Sequence, residues 1–239
     1  MKYEGRNAVK ELLSRGSEID KILVQNSANV SDIVDIAKKR GIKVQFVPKN
    51  VLDSESETHN HQGVIGYASD FNYSSIDDII NYAKSKKEDV FVLILDGIED
   101  PHNLGSIVRV AECSGVHGII IPKHRAASVN ETVIRVSAGA TSYVKIAKVT
   151  NIHSAIEELK KRGVFIFATE MKGESMYKTN LTGNIGIVIG SEGFGVSNLT
   201  KKLADGIVSI PMSGKLNSLN ASVSTGIIVY EALRQRGKF

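Results

Sequence analysis

The chain has 239 residues, 42% of them hydrophobic, which is enough for one large core or two modest ones and excludes a disordered chain. No run approaches the roughly 20 apolar residues that cross a bilayer, and the first residues lack the apolar core of a signal peptide, so we expect a cytoplasmic protein. A net charge of +4 permits a nucleic-acid partner without requiring one. The single cysteine, Cys113, excludes an internal disulfide and is expected to be a small buried helix residue.

The N-terminal part predicts a small α/β domain. Apolar periodicity indicates helices over 7–13 and 31–40 and extended segments over 21–25, 44–47 and 63–68. The residues that follow are polar and end in a charge cluster, which is typical of a linker with one short helix. We therefore divide the chain into a first domain over 1–70, a linker over 71–88 and a second domain over 89–239.

The second part predicts a parallel sheet with helices on both faces. Fully apolar strands alternate with helical patterns, with strands over 90–95, 118–121, 164–169, 185–189 and 206–210 and helices over 104–114 and 152–162. Ligands of such sheets bind beyond the carboxyl ends of the strands. The excess of positive charge also lies here, because residues 1–88 carry 13 basic against 13 acidic side chains and residues 89–239 carry 17 against 13.

Several common chemistries lack their sequence signatures. The chain has no Gly-x-x-x-x-Gly-Lys-Ser/Thr phosphate loop, no Gly-x-Ser-x-Gly elbow and no Gly-x-Gly-x-x-Gly turn after a strand. This removes the best support for nucleotide hydrolysis, ester hydrolysis and ordinary dinucleotide binding. His59 and His61 lie close together but have no cysteine and no obvious acidic partner at ligand spacing, so we expect no metal site.

The segment after the first strand of the second domain is the first candidate site. Pro101 holds the preceding residue out of helical geometry, and Asn103 is placed to cap a helix that begins at the next residue. Gly105 permits another group to approach the first turn of that helix closely. Arg109 lies six positions after Asn103, so the two meet only if Asn103 precedes the helix. Arg109 is either a guanidinium that reaches into a site or a surface ion-pair residue.

The glycine-rich segment 190–195 is the second candidate. Its three glycines surround Glu192, which would repel a phosphate, so the loop suits a ligand that is neutral or cationic where it meets the acid. A sulfonium or an amine fits that description. The alternative is a glycine turn with a solvated glutamate.

The third candidate is the segment 211–222, which offers backbone and side-chain donors just before a helix. Asn220 and Ser222 either belong to a site or only cap that helix. The apolar positions of the helix are expected to face the core: Val223, Ile227 and Leu233.

Together and in this order, the three segments resemble the motifs of the SpoU family of RNA ribose 2'-O-methyltransferases, within the SPOUT class. Residues 96–109 resemble the first motif, residues 189–195 the second, and residues 210–212 with 218–222 the third. The segments 3–13 and 58–64 are similar to the substrate-binding domain of the bacterial 23S rRNA guanosine 2'-O-methyltransferases of the RlmB type. The shorter tRNA-modifying relatives lack that domain.

The resemblance implies a C-terminal trefoil knot that holds S-adenosylmethionine in a bent pose. It also implies a homodimer with active sites at or near the subunit interface. The matching positions imply cofactor contacts, largely through the backbone, at Gly190, Ile210 and Leu219, with Met212 and Ser218 beside them. In the N-terminal domain Arg6 and Asn7 are expected to contact RNA, although Asn7 has the alternative of merely starting the first helix.

The implied reaction is attack of a guanosine ribose 2'-hydroxyl in 23S rRNA on the methyl group of S-adenosylmethionine. The family assigns the base to the position of Arg109, yet a free arginine holds its proton up to about pH 12. Arg109 is therefore either a base, which requires that the site keep its side chain deprotonated before it accepts the ribose proton, or a cation that orients the target phosphate and stabilises the developing alkoxide. The resemblance further suggests that Asn103 fixes Arg109 and its turn, Glu192 organises the knot loop and Asn220 aligns the ribose or the third motif.

Two alternatives stay open. The substrate is tRNA or another rRNA nucleotide, although the N-terminal domain argues against tRNA. Otherwise the chain is an RNA-binding or antibiotic-resistance-related paralogue that keeps the fold without housekeeping methylation. The joint presence of Arg109, Glu192 and Asn220 favours an active enzyme, because a pure binding protein has no need of all three.

Overall fold

The computed structural model describes residues 2–14, 19–68, 71–215 and 218–237. Its internal contacts divide the chain into two compact units, Met1–Asn72 and Tyr73–Phe239. Across these described ranges, no helix combines the length and apolar character that a membrane span requires.

The first unit is a four-stranded sheet with helices on both faces. Its elements in chain order are β1 (Lys2–Glu4), α1 (Arg6–Ser14), β2 (Ile19–Gln25), α2 (Ser31–Lys39), β3 (Val44–Val47), α3 (Lys49–Glu55) and β4 (Val64–Ala68). The strand order is β1-β4-β2-β3, with β2 and β3 parallel and β4 antiparallel to both β1 and β2. Helices α1 and α2 bury one face of the sheet, and α3 packs Leu52 against Leu23 and Ile65 on the other. Strand β1 and helix α3 are not predicted from the sequence, and both are short.

The second unit is the larger one. Its elements are α4 (Ile76–Lys86), β5 (Phe91–Asp96), α5 (Pro101–Cys113), β6 (Gly118–Pro122), α6 (Glu131–Val136), a 3₁₀ turn (Ala140–Ser142), β7 (Lys145–Val149), α7 (Ile152–Lys161), β8 (Phe165–Ser175), β9 (Ile185–Gly190), α8 (Asn198–Leu203), β10 (Gly206–Ser209) and α9 (Ala221–Gln235). All six strands are parallel, in the order β10-β8-β9-β5-β6-β7. The predicted α/β class with a parallel sheet is confirmed.

The sheet is covered on both faces. Val92 and Ile94 of β5 belong to the core that α4 and α7 complete, while the alternate residues of the same strand, Leu93 and Leu95, are buried on the other side. The chain passes from β5 to β6, which is the neighbour on one side of β5, whereas β9 is its neighbour on the other side. The strand order therefore reverses between β5 and β9. Such a reversal opens a crevice at the carboxyl ends of the two strands.

The segment that we predict to be a linker lies largely in the second unit. Helix α4 starts with a capping box at Ser75 and Asp78, and it buries Ile76, Ile79 and Ile80 in the core of the parallel sheet. The polar composition of residues 71–88 reflects the solvent face of this helix. The buried apolar face, at helical spacing, was the signal for its packing.

Two local expectations were wrong, and one strand was not predicted. Val223 and Ile227 of α9 are exposed, 49% and 36%, whereas Leu233 is buried as predicted, together with Ala221, Thr225, Ile228, Val229, Glu231 and Ala232. Cys113 is exposed at the last position of α5 rather than buried. Edge strand β7 was not predicted because Lys145 and Lys148 interrupt its apolar residues, so it lacks the fully apolar run of a strand that is buried on both faces.

Candidate active site

The first two candidate segments leave the sheet side by side. Strands β5 and β9 are parallel neighbours that end in register, with Asp96 opposite Gly190. The Asp96 carboxylate then ties the strand end to the start of α8: its Oδ2 accepts hydrogen bonds from the backbone N of Ser197 at 3.0 Å and from Thr200 Oγ1 at 2.9 Å. Asp96 has no predicted role of its own, although an acid as the last residue of a buried strand is a usable signal in the sequence.

Helix α5 begins at Pro101, three residues earlier than the sequence indicates. Asp100 is the N-cap, since its Oδ1 accepts from the backbone N of His102 at 3.0 Å. Proline is well suited to the first helical position, where its missing N–H costs nothing, so the helix starts there and the prediction that Asn103 caps it was wrong. The Asn103 side chain is instead available to other segments.

Gly190 is required by a close passage of the backbone. A Cβ atom at this position would lie 2.1 Å from the carbonyl carbon of Gly195 and 2.2 Å from the backbone N of Val196. Gly195 has a φ of +65° and donates its N–H to the carbonyl of Ser191 at 2.8 Å, which closes the turn. The loop therefore returns directly over the end of β9, and no side chain fits between them.

The structure brings Asn103, Glu192 and Asn220 together in one hydrogen-bonded network. Asn103 Nδ2 donates to Glu192 Oε1 at 3.1 Å, and Asn220 Nδ2 donates both to Asn103 Oδ1 at 2.8 Å and to Glu192 Oε1. One residue from each candidate segment takes part. Because the asparagine amides satisfy each other and the carboxylate, the network fixes the relative positions of all three segments.

Glu192 is placed as an anion at the start of α9. The backbone N of Ala221, the first residue of that helix, lies 3.4 Å from Glu192 Oε1 and donates to it. The positive end of the helix dipole favours a carboxylate there. Within the described residues Glu192 Oε2 has no hydrogen-bond partner, so one carboxylate oxygen is open to a ligand.

Asn220 both caps α9 and takes part in the hydrogen-bonded network. Its Oδ1 caps α9 by accepting from the backbone N of Ser222 at 2.9 Å and of Val223 at 3.3 Å, while its Nδ2 belongs to the network. Ser222 Oγ also donates to Asn220 Oδ1, at 2.6 Å, and thus supports the cap. The Asn220 amide oxygen thus binds the start of α9, and the amide nitrogen binds the network.

In its described part, the third segment places apolar side chains beside backbone groups that form no backbone hydrogen bond. Met212 and Leu219 are exposed and Ile210 is half-buried, and Ser218 is exposed next to Leu219. In the described part of this segment, 210–215 and 218–219, no backbone group forms a backbone hydrogen bond. A purine requires both an apolar surface for its faces and polar groups for its edge, so these residues fit an adenosine.

Arg109 lies outside the network. It is exposed in the third turn of α5, about 9 Å along the helix axis from Asn103 and about 120° around it. It forms no hydrogen bond or ion pair with any residue that the structure describes, so the expected fixing of Arg109 by Asn103 is not seen. Gly105 does allow a close approach, but by α6: a Cβ there would lie 2.7 Å from Val136 Cβ.

In the N-terminal unit, Arg6 and Asn7 begin α1 and are both exposed. The backbone N of Arg6 donates to Gln62 Oε1 at 3.2 Å and its Nε to the Gln62 carbonyl at 3.4 Å. Nearby, Glu4 accepts hydrogen bonds from three consecutive residues, 56–58. Although burial raises the pKa of Glu4, the bonds from Thr58, Glu57 and Ser56 lower it to about 2. Arg6 is therefore attached to a braced loop, and Asn7 is not.

Comparison with known families decides the class. A profile of the SpoU rRNA Methylase family matches residues 90–230, and a profile described as RNA 2'-O ribose methyltransferase substrate binding matches residues 3–74. The first covers more than half of the chain and includes all three segments of the network. The chain belongs to the SpoU rRNA methylase family. Members of this family are S-adenosylmethionine-dependent RNA methyltransferases, and this chain is one of them.

Relatives within the SpoU family match nearly the full chain. YacO of Bacillus subtilis (strain 168), named as a TrmH family tRNA/rRNA methyltransferase, is 41% identical over 237 residues, which cover 97% of this chain and 94% of YacO. A protein of the same description from Staphylococcus saprophyticus is 43% identical over 236 residues, with the same coverage. Both names include tRNA and rRNA.

Solved structures of SpoU proteins agree with the fold. An AdoMet-bound rRNA methyltransferase from Sinorhizobium meliloti is 26% identical with a TM-score of 0.63, covering 98% of this chain and 86% of that one. A TrmH/SpoU tRNA modifying enzyme from A. aeolicus is 34% identical with a TM-score of 0.57, over 63% of this chain and 76% of its own. AviRb from Streptomyces viridochromogenes, at 23% identity and a TM-score of 0.64, supports the fold alone.

Proposed function

We propose that this SpoU enzyme methylates the 2'-hydroxyl of a guanosine ribose in 23S rRNA. The network of Asn103, Glu192 and Asn220 carries the proposal, because it joins the three motif segments at the crevice between β5 and β9. The match to a substrate-binding profile over 3–74 supports an RNA that this domain contacts. The resemblance of the segments 3–13 and 58–64 to enzymes of the RlmB type is the reason for proposing 23S rRNA. Methylation of tRNA, or of another rRNA nucleotide, is the second candidate, since the relatives are named for both RNA classes.

The cofactor site that we assign consists of the segments after β9 and β10. Gly190, Ile210 and Leu219 hold the cofactor, with Met212 and Ser218 beside them. The exposed apolar side chains of the described residues 210–215 and 218–219, and the lack of backbone hydrogen bonds among them, support this assignment. When bound, S-adenosylmethionine supplies an electrophilic methyl group on a positively charged sulfur. The open Oε2 of Glu192 adds a negative charge near these segments, which favours a cation.

Arg109 acts on the RNA. A ribose hydroxyl is a poor nucleophile at neutral pH, so its oxygen must be positioned and its developing charge stabilised. The guanidinium of Arg109 is exposed and has no partner among the residues that the structure describes, which suits the second of its two roles: a cation that forms a forked pair with the target phosphate and stabilises the alkoxide. Asn103 and Asn220 keep the crevice in shape, and Asn220 aligns the incoming ribose.

Two structural expectations complete the proposal. The trefoil knot that the SpoU resemblance implies is one of them, with the chain path of the second and third segments forming the knot. The exposed positions Val223, Ile227 and Tyr230 form an apolar stripe along one face of α9, which suits a homodimer interface. Analytical ultracentrifugation tests the dimer, and a Val223→Glu variant that sediments like the native protein contradicts the stripe as its interface.

The test of the substrate is transfer of labelled methyl from S-adenosylmethionine to unmodified 23S rRNA fragments and to tRNA, followed by mapping of the modified ribose. We expect incorporation at a single guanosine of the 23S rRNA. Incorporation into tRNA alone selects the second candidate. Calorimetric binding of S-adenosylmethionine without transfer to any RNA indicates a non-catalytic RNA-binding paralogue.

Replacement of Arg109 tests its role. We expect Arg109→Ala to lower the rate of methyl transfer by a factor of about 100 to 1000, the range typical of a lost charge-stabilising group, while binding of S-adenosylmethionine is retained. Arg135→Ala is the matched control, since Arg135 is also exposed and unpaired among the described residues. An Arg109→Lys enzyme with near-normal turnover contradicts the need for a guanidinium fork.

A further inference from the structure

The N-terminal unit contains a polar cavity of about 730 Å³ that no motif of the catalytic unit explains. It lies between the start of α1, the turn after β2, the first turns of α3 and the loop 57–63. Ala28 is the only apolar side chain among the described residues that line it. Its size is within the range of small-ligand sites, which is roughly 300 to 1000 Å³, but its lining is far more polar than most of them.

The loop beside the cavity is held in an unfavourable backbone conformation. His59 and Gln62 have φ values of 56° and 49°, in the left-handed region that side chains other than glycine rarely adopt, and Gly63 follows at 80°. Such strain persists only where surrounding contacts enforce it. Glu4 provides those contacts at one end of the loop by accepting from residues 56–58.

His61 provides the contacts at the other end of the loop. It is buried, its Nδ1 accepts from the backbone N of Gly63 at 3.0 Å, and its Nε2 donates to Asp53 Oδ1 at 2.9 Å. Asp53 is thereby occupied by the histidine. Contacts at both ends therefore fix the loop. The side chains of Asn29 and Lys49, which face the cavity, take no part in these contacts.

Several polar side chains in the lining are uncommitted. Asn29, Lys49, His59 and Asn60 are exposed, and their side chains form no hydrogen bond or ion pair with any residue of the described ranges. Arg6 is held through its backbone N and its Nε by Gln62, which leaves its two terminal nitrogens free. The cavity therefore presents two cations and two uncommitted amides, and among its described lining residues the imidazoles of His59 and His61 are the only aromatic rings.

We propose that this cavity holds one unpaired nucleotide of the RNA substrate, with Arg6 and Lys49 at its phosphates and Asn29 and Asn60 at the edge of its base. The proposal rests on the RNA methyltransferase function proposed above and assigns it a second recognition point. Amides that both donate and accept suit a base edge, and cations suit phosphates. Unpaired nucleotides are the usual targets of sequence-specific RNA binding, because a duplex hides base edges from side chains.

The charge balance of the unit supports selective recognition. Residues 1–72 carry ten basic and ten acidic side chains, so bulk attraction to phosphate contributes little here. Binding must then depend on a few placed contacts. The free groups of the cavity are such contacts.

The salt dependence of RNA binding by the full-length protein tests the cationic contact. We measure fluorescence anisotropy of a labelled, unmodified 23S rRNA fragment over a series of salt concentrations. For Lys49→Ala we expect affinity to fall several-fold and the slope of log K against log salt to decrease by about 0.7, the value for one phosphate of a single strand. Lys39→Ala is the matched control, since it removes the same charge from an exposed position of the same unit outside the cavity, and we expect less than a twofold change.

Loss of an amide contact should lower the RNA affinity without a change in its salt dependence. Asn29→Ala and Asn60→Ala should each weaken RNA binding by about three- to tenfold, as expected for one hydrogen bond, and leave the salt slope unchanged. The KM for RNA rises in both variants, and calorimetric affinity for S-adenosylmethionine stays the same because the cofactor segments are in the other unit.

Three outcomes decide between the possibilities. RNA affinity of Lys49→Ala and Asn29→Ala equal to that of Lys39→Ala overturns the cavity proposal and leaves the methyltransferase function intact. Asn29-dependent binding of free guanosine 5'-monophosphate, with RNA binding unaffected, overturns it in favour of a small-molecule site. A native protein that binds neither RNA nor S-adenosylmethionine contradicts the proposed function itself.

Discussion

The two units each hold a functional loop with a carboxylate, but the carboxylate has opposite roles in them. In the catalytic unit Glu192 lies inside the site and accepts from Asn103 and Asn220, which are 89 and 28 residues away in the chain. In the N-terminal unit Glu4 lies behind its loop and accepts from consecutive residues, 56–58. Glu192 thus connects segments that are distant in the chain, whereas Glu4 stabilises a single loop segment.

This difference means that the site around Glu192 requires the whole sheet to be folded, whereas the loop behind Glu4 is fixed by a few contacts. The network around Glu192 forms only when β5, β9 and the start of α9 have all reached their places, so the catalytic geometry depends on the whole sheet. The loop behind Glu4 depends on one strand end and on His61 with Asp53. We therefore expect damage to the first site to be large and non-additive, and damage to the second to be small and dependent on pH.

The largest effect is expected from Gly190→Ala. The new methyl group would overlap the backbone at Gly195, so we expect a loss of about 3 kcal/mol or more, which in a chain of this size lowers the unfolding temperature by roughly 10 °C. Gly193→Ala is the control, because nothing lies within 4 Å of its Cβ position. Differential scanning calorimetry measures both. Equal unfolding temperatures for the two variants would show that the loop can open without cost.

The network is tested by a double-mutant cycle. We expect Asn103→Ala and Asn220→Ala each to lower kcat/KM for methyl transfer roughly 10- to 100-fold, which is about 1.4 to 2.7 kcal/mol, because each removes a donor to Glu192 and leaves the others misaligned. The double variant should be little worse than either single one, since members of one network are coupled.

Ser222→Ala is the control for that cycle. Ser222 supports the cap through Asn220 Oδ1 but has no contact with Asn103 or Glu192 among the described residues, so its effect should be below about threefold. Native rates of methyl transfer in both asparagine variants refute their assignment to the site. Fully additive losses refute the coupling.

The sequence predicts the sheet better than it predicts the site. Apolar runs identify the central strands because such strands are buried on both faces, whereas β7, at the edge, escapes notice. The three motif segments are found by their strand ends, and Glu192 and Asn220 by the loop chemistry around them. The mutual bonds of Asn103, Glu192 and Asn220 are not predictable from spacing, because they depend on which strands become neighbours.

Local rules also fail where two of them compete. Asn103 has the chemistry of a helix cap, but Asp100 with Pro101 caps the helix three residues earlier. On α9 both faces carry apolar residues, so periodicity alone does not distinguish the core face at Ile228 and Val229 from the exposed stripe at Val223 and Ile227. The bracing of the N-terminal loop by Glu4 involves residues more than 50 positions away and has no local signal.

The smallest effect, and the one specific to the N-terminal unit, is expected from Glu4→Gln. The pKa of Glu4 is lowered in the folded protein from its ordinary value of 4.5 to about 2, so its ionised form stabilises the fold above about pH 4.5, and this contribution is lost as the pH falls from 4.5 through 2. The variant lacks the contribution at every pH. The unfolding temperatures of native protein and variant should therefore differ by a few degrees at pH 6 and converge near pH 2, while Asp35→Asn, an equal charge change at an exposed position of α2, produces no such convergence. A difference that stays constant between pH 6 and pH 2 contradicts the carboxylate brace, and it would assign the loop's conformation to His61 and Asp53 alone.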